Sequence, residues 1–137
     1  MLAILFASVA DAVISYAVDK FDPAEKVKSW LRRDPVTLAF QKSLARAYSA
    51  FARKYPDYTA SLFEETFLTR KAVPELSKLL TRGQHPDPAL LAQAWGESIG
   101  AHSEFSKSAT KPASDFLLWL EAELKAEQAL QPLFNSR

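Results

Sequence analysis

The chain contains no cysteine, which excludes a disulfide framework, a thiolate metal site and a cysteine nucleophile. Its three glycines stand at positions 83, 96 and 100. They form no phosphate-cradling loop and no Gly-Lys-Ser/Thr run is present, so nucleotide binding through a P-loop is excluded. The only histidines, His85 and His102, read as surface loop residues and are not paired at the i, i+4 spacing of a helical metal site. Charge of one sign is missing too. Seventeen Lys and Arg against sixteen Asp and Glu leave a formal net charge of +1, too small a field to steer the chain toward nucleic acid. Runs of β-branched residues are few, and nothing reads as a strand.

What remains is apolar and helical. With 48% apolar and 24% charged side chains over 137 residues, the composition is that of one globular domain able to bury a sizeable core. Eight prolines punctuate it. Asp-Pro occurs at 22–23, 34–35 and 87–88. In each pair the aspartate suits the N-cap and the proline suits the first helical position, where no N–H is required. Glu25 completes a capping-box spacing after Asp22.

The boundaries predict helices over about 23–33, 35–54, 58–68, 70–82, 88–98 and from Pro112 or Ser114 to about Leu130. In 35–54, Phe40, Leu44, Ala47, Tyr48 and Phe51 recur at helical spacing. Thr69 suits a cap for the 70–82 helix, whose regular part begins nearer Val73 because of Pro74, and Gly83 suits its stop. Gly100 closes the 88–98 helix. Residues 101–111, rich in serine and lysine, are predicted to form the one long polar loop. The fold class expected is all-α, a single-domain bundle of six or seven helices.

The first twenty residues form a further helix, about 2–21. Only Asp11 is charged between Met1 and Val18, and the stretch is close to the length that spans a bilayer. No basic residue precedes Lys20, so it does not read as a signal peptide. The polar residues Ser8, Asp11, Ser15 and Asp19 draw one narrow stripe, beside an apolar face of Leu2, Leu5, Phe6, Val9, Val13, Tyr16 and Ala17. Two readings follow: a helix packed into the bundle core, or one able to leave it for a membrane or an oligomer.

Catalysis requires converging groups, and none is legible. Glu64 and Glu65 are neighbours about 100° apart on a helix, which describes a solvated face better than a shared acid–base site. Lys26, Lys28, Arg32 and Arg33 are the best candidates for phosphate or lipid-headgroup contacts, with only Trp30 as an aromatic among them. Trp30, Trp95 and Trp119 lie in apolar-periodic segments and read as core.

The order of short motifs carries a resemblance. Tyr55-Pro56-Asp57 and Ser61-Leu62-Phe63-Glu64-Glu65-Thr66-Phe67-Leu68 are followed by Ala72-Val73-Pro74-Glu75-Leu76, Leu79-Leu80, Pro86-Asp87-Pro88, Leu91-Ala92 and Ala94-Trp95. Ala113-Ser114-Asp115-Phe116-Leu117, Glu121 through Leu124 and the end from Leu130 to Arg137 complete the set. Over roughly residues 35–137 this resembles the helical segment ahead of the nucleotide-binding module in prokaryotic STAND NTPases of the NACHT type. The stretch from Ala10 to Phe21 is similar to the MADA motif that opens coiled-coil plant NLR receptors, here preceded by Met1–Ser8.

These resemblances imply a non-enzymatic N-terminal signalling or regulatory domain of an NLR-like protein acting in immune cell death or defence. They imply other copies of the chain and a C-terminal NTPase module as partners, with membrane lipid reached through the first helix. The implied location is cytoplasmic, with membrane association on activation. No cofactor, metal, nucleic acid or small-molecule substrate is expected. The alternatives are an adaptor or scaffold bundle without membrane activity, and a helical hydrolase or nuclease, which would need a convergent residue set. Isothermal titration with ATP–Mg²⁺ is expected to show no binding, and a chelator is expected to leave the chain folded.

Overall fold

The most strongly periodic stretch of the sequence lies at the centre of the molecule. A computed structural model describes residues 2–20, 34–80, 84–101 and 103–131. Its helices are α1 (Leu2–Lys20), α2 (Asp34–Lys54), α3 (Pro56–Leu62), α4 (Val73–Ser77), α5 (Pro88–Ser98) and α6 (Ser103–Ala126). A π-helical turn, Phe67–Lys71, and two 3₁₀ turns, Lys78–Leu80 and Gln128–Leu130, complete the described structure, which contains no strand. The chain is an all-α bundle. The helix expected at 23–33 and the Gly83 stop lie outside the described residues.

Helix α2 follows its periodicity: Val36, Phe40, Leu44, Ala47 and Phe51 are all at most 1% exposed. It packs against α1 on one side and α6 on the other, while α5 and α6 form an antiparallel hairpin around Gly100. Gly100 has φ +67, the left-handed conformation that ends helices and that glycine adopts without penalty. At the other end of α5 the Asp87 carboxylate accepts from the Ala89 N–H at 2.9 Å, with Pro88 in the first turn, as the Asp-Pro reading predicts.

The centre is aromatic. Phe63 meets Phe6 of α1, Tyr48 and Phe51 of α2, and Phe116 of α6 edge-on, with centroids 4.8 to 6.4 Å apart. Phe51 continues the cluster to Trp95 of α5 at 6.4 Å. Trp95 is fully buried, and its indole N–H donates to the Ser61 hydroxyl at 3.2 Å. Edge-to-face geometry lets each ring place its positive edge against a neighbour's negative face.

Three expectations need correction. The helix predicted over 58–68 is broken, because α3 begins at Pro56 and ends at Leu62. The Glu64 carboxylate then accepts from the N–H groups of Thr66 and Phe67, both at 2.9 Å, and so starts a new turn. These bonds hold the Glu64 carboxyl below its ordinary pKa; Glu64 and Glu65 are both exposed, on a solvated face as expected, and Glu64 also serves as a local cap. The helix predicted over 70–82 is replaced by the π turn, α4 and a 3₁₀ turn. There the Thr69 hydroxyl donates back to the Glu65 carbonyl instead of capping.

The polar loop predicted over 101–111 is helical from Ser103 onward, and Pro112 lies inside α6. An internal proline removes one backbone bond and costs about 3 kcal/mol. The apolar side of the same stretch offsets this: Phe105 packs against Trp95 at 5.1 Å and Tyr58 at 6.1 Å, and Ala109 and Ala113 are fully buried. Replacing Phe63 by Ala is expected to lower unfolding free energy by about 3–5 kcal/mol, whereas Leu118→Ala, at a site 59% exposed, is expected to cost under about 0.5 kcal/mol; denaturant unfolding checks both.

Candidate functional site

Two places on the described structure bring functional-type side chains together. The first is α1. Phe6, Val9 and Val13 of the predicted face are buried, as are Ala10, Ile14 and Ala17. Leu5 and Tyr16 are half-buried at the edges, and the Leu2 side chain lies outside the described residues. The buried seam therefore runs along 6, 9, 10, 13, 14 and 17, rotated from the predicted face. Ala10 and Ile14, set immediately beside the polar stripe in sequence, belong to the core. On the opposite side Asp11 and Ser15 are exposed and Ser8 is half-buried; the Asp19 side chain is not described.

Helix α1 is covered by α2, α4 and the π turn. Its aromatic anchor, Phe6, reaches Tyr48 at 5.6 Å and Phe63 at 6.4 Å. Ile4 is 67% exposed near the helix start and, among the described side chains of α1, is the large apolar residue that the bundle leaves open. No helix among the described residues is long and apolar enough to cross a membrane. The cluster Lys26, Lys28, Arg32 and Arg33, with Trp30, falls outside the described residues.

The second place joins the C-terminus of α2 to the middle of α6. Asp115 is 8% exposed. Its carboxylate accepts from the Tyr55 hydroxyl at 2.5 Å, from Lys54 Nζ at 3.1 Å and from Lys111 Nζ at 3.2 Å. Burial by itself pushes the Asp115 carboxyl up, but the bonds from Tyr55, Lys54 and Lys111 outweigh it and hold the group below the usual aspartate range. The hydrogen bond to Asp115, followed by burial, raises Tyr55 above an ordinary phenol. Lys54 Nζ also lies 5.5 Å from the Tyr55 ring centre and 5.8 Å from that of Trp119.

Tyr55 and Asp115 fall within the short motifs quoted above, but no spacing marks them, Lys54 or Lys111 as a site. Lys111 and Asp115 stand at i, i+4, the spacing of a helical ion pair; the pair is legible only once residues 103–111 are assigned to helix. Further along the same two helices Arg46 Nη1 lies 2.6 Å from Glu127 and 3.6 Å from Glu123, a second tie between α2 and the end of α6.

A shallow groove of about 140 Å³ is lined by Leu79, His85, Pro86, Pro88, Ser114, Leu117, Leu118 and Glu121. It is below the roughly 300 Å³ at which small-molecule sites begin, and its His85 is exposed. Among the described residues no three His, Asp or Glu side chains converge as metal ligands. No family model, curated protein or solved structure matches the chain.

The Asp115 bonds have a pH signature. A carboxyl held below its unfolded pKa contributes stability that is fully present above the unfolded value and is lost as pH falls through the folded one. Acid unfolding of the wild type is therefore expected to include a component below the ordinary aspartate range. In Asp115→Asn that component is absent, and stability at neutral pH is lower by about 1–3 kcal/mol; denaturant melts across an acid pH series measure both.

Proposed function

We propose that this chain is a non-catalytic signalling or regulatory module, the helical N-terminal domain of a cytoplasmic STAND-type NTPase, with α1 as its output element. One observation carries the reading. The apolar side of α1 is sealed inside the bundle, while its outer side presents Asp11 and Ser15 to water. A helix built this way has two stable situations, docked with its apolar seam on α2 and α4, or released with that seam against lipid or another copy of itself. The motif order across residues 35–137 supports placement ahead of an NTPase.

Released copies would assemble with Phe6, Val9 and Val13 toward lipid and the stripe of Ser8, Asp11, Ser15 and Asp19 inward. Ions would then pass a ring of carboxylates, the arrangement that favours cations. The second reading is an adaptor bundle in which α1 never leaves. It is favoured by the depth of α1, whose Val9, Ala10, Val13 and Ala17 are 0% exposed. In that case outward groups such as Leu90 and Leu118, 49% and 59% exposed, belong to protein contacts.

Liposome leakage separates the readings. In the output-helix reading the wild-type chain releases trapped dye. Leu5→Glu, at the half-buried edge of the seam, remains helical by circular dichroism yet releases none, because a charge near the bilayer centre costs about 2–3 kcal/mol per helix. Asp11→Lys, at an exposed site, changes stability by under about 0.5 kcal/mol and reverses the preference for cations. A wild type that does not leak, or a folded Leu5→Glu variant that leaks equally, leaves the adaptor reading.

A further inference from the structure

We infer that Lys54 and Lys111, set in place by Asp115, form a binding site for a phosphate-bearing anion. Asp115 holds both ammonium groups at once: Lys54 Nζ and Lys111 Nζ lie within 3.5 Å of the same oxygen, Oδ2. Two cations tethered to one atom are close enough to donate together to a single tetrahedral anion. Each ammonium has three N–H donors, and the side chains of Lys54 and Lys111 are 52% and 73% exposed. Donors not directed at Asp115 therefore face water.

The charge balance and the order of the site both favour an anion. Two ammoniums against one carboxylate leave a positive charge uncompensated, and Asp57 in the first turn of α3 forms no ion pair with either lysine. Arg53 and Lys107, both exposed, extend the basic surface along α2 and α6. Lysine side chains normally lose much rotamer freedom on binding. Here Lys54 is already placed by Asp115 and by the rings of Tyr55 and Trp119, so less is lost when the anion arrives. A phosphate monoester fits better than a carboxylate, because its three acceptor oxygens reach two donors while the ester oxygen points away. The source is a soluble phosphate ester or a phosphorylated lipid headgroup, which present the same group to the site.

The test is titration of the isotope-labelled chain with inorganic phosphate at constant ionic strength, followed by nuclear magnetic resonance. Saturable shifts are expected at Lys54, Lys111 and the Trp119 indole. Lys111→Gln, whose side chain is the more exposed, is expected to weaken binding about tenfold, the loss of one charge-assisted bond. Lys42→Gln with Arg70→Gln, two exposed cations elsewhere, is expected to leave binding unchanged.

Asp115→Asn separates an ordered site from general attraction. It adds net positive charge, so simple electrostatics makes it bind more tightly, whereas a site ordered by Asp115 binds more weakly; thermal unfolding confirms that each variant is folded. Flotation with phosphatidylcholine vesicles, with and without phosphatidylinositol phosphate, then assigns the source. Capture only by the phosphorylated vesicles marks a headgroup site, and phosphate binding without capture marks a soluble ester. No saturable shift with phosphate, equal binding by Lys111→Gln, or unweakened binding by Asp115→Asn overturns the inference.

Discussion

Phe63 stands in a turn, between α3 and the π-helical segment, and yet rings from three long helices converge on it. Phe6 comes from α1, Tyr48 and Phe51 from α2, and Phe116 from α6. The arrangement requires the chain to leave helix after Leu62, since continuing α3 would carry residue 63 along the helix direction. The Glu64 carboxylate makes the departure inexpensive by accepting the two N–H groups that the next turn exposes. Removing Phe63 would leave a cavity shared by three helices, the situation in which surrounding structure relaxes least.

The polar ties sit at the rim of this centre and act between the same helices. Asp115 joins α6 to the α2–α3 corner, and Glu123 with Glu127 holds Arg46 farther along. The two ties differ in kind. Arg46 has a side chain 52% exposed, so water and salt screen much of what its pair contributes. Asp115 is buried, and its three bonds offset the cost of burying its charge. That difference makes Asp115 a fixed point from which two flexible lysines can be held. Among the described residues, the buried Ser43 hydroxyl on α2 makes no hydrogen bond within the protein and is a small standing cost inside the bundle.

Helix α1 depends on the aromatic centre. Its seam lies over α2 and α4, and its buried aromatic, Phe6, reaches the Phe63 cluster. A rotation or loss of that cluster would loosen α1 first on the side of Phe6. The outward stripe of Asp11 and Ser15 takes no part in this packing, which leaves it available to a role that folding does not constrain.

Much of this was legible in the chain itself. The spacing of Phe40, Leu44, Ala47 and Phe51 located α2, Asp87-Pro88 and Gly100 bounded α5, and the stripe of polar residues separated the two sides of α1. These are local signals, set by helical period and by which residues satisfy free amides or adopt positive φ. Other features depended on partners distant in sequence. Whether residues 103–111 were loop or helix turned on Phe105 meeting Tyr58 and Trp95, contacts that outweigh an internal proline. Whether α1 buried Ala10 and Ile14 in place of Leu5 turned on which side of it α2 and α4 cover. The Asp115 centre needed both: Lys111 is in register with it only along a continuous α6, and Lys54 and Tyr55 reach it across 61 and 60 residues. The sequence by itself determined an all-α chain, the ends of α2 and α5 and the amphipathic first helix, because those follow from neighbours within a turn or two; only the tertiary structure decided where the other helices begin and break and which polar groups met, because no local spacing encodes a contact between separate helices.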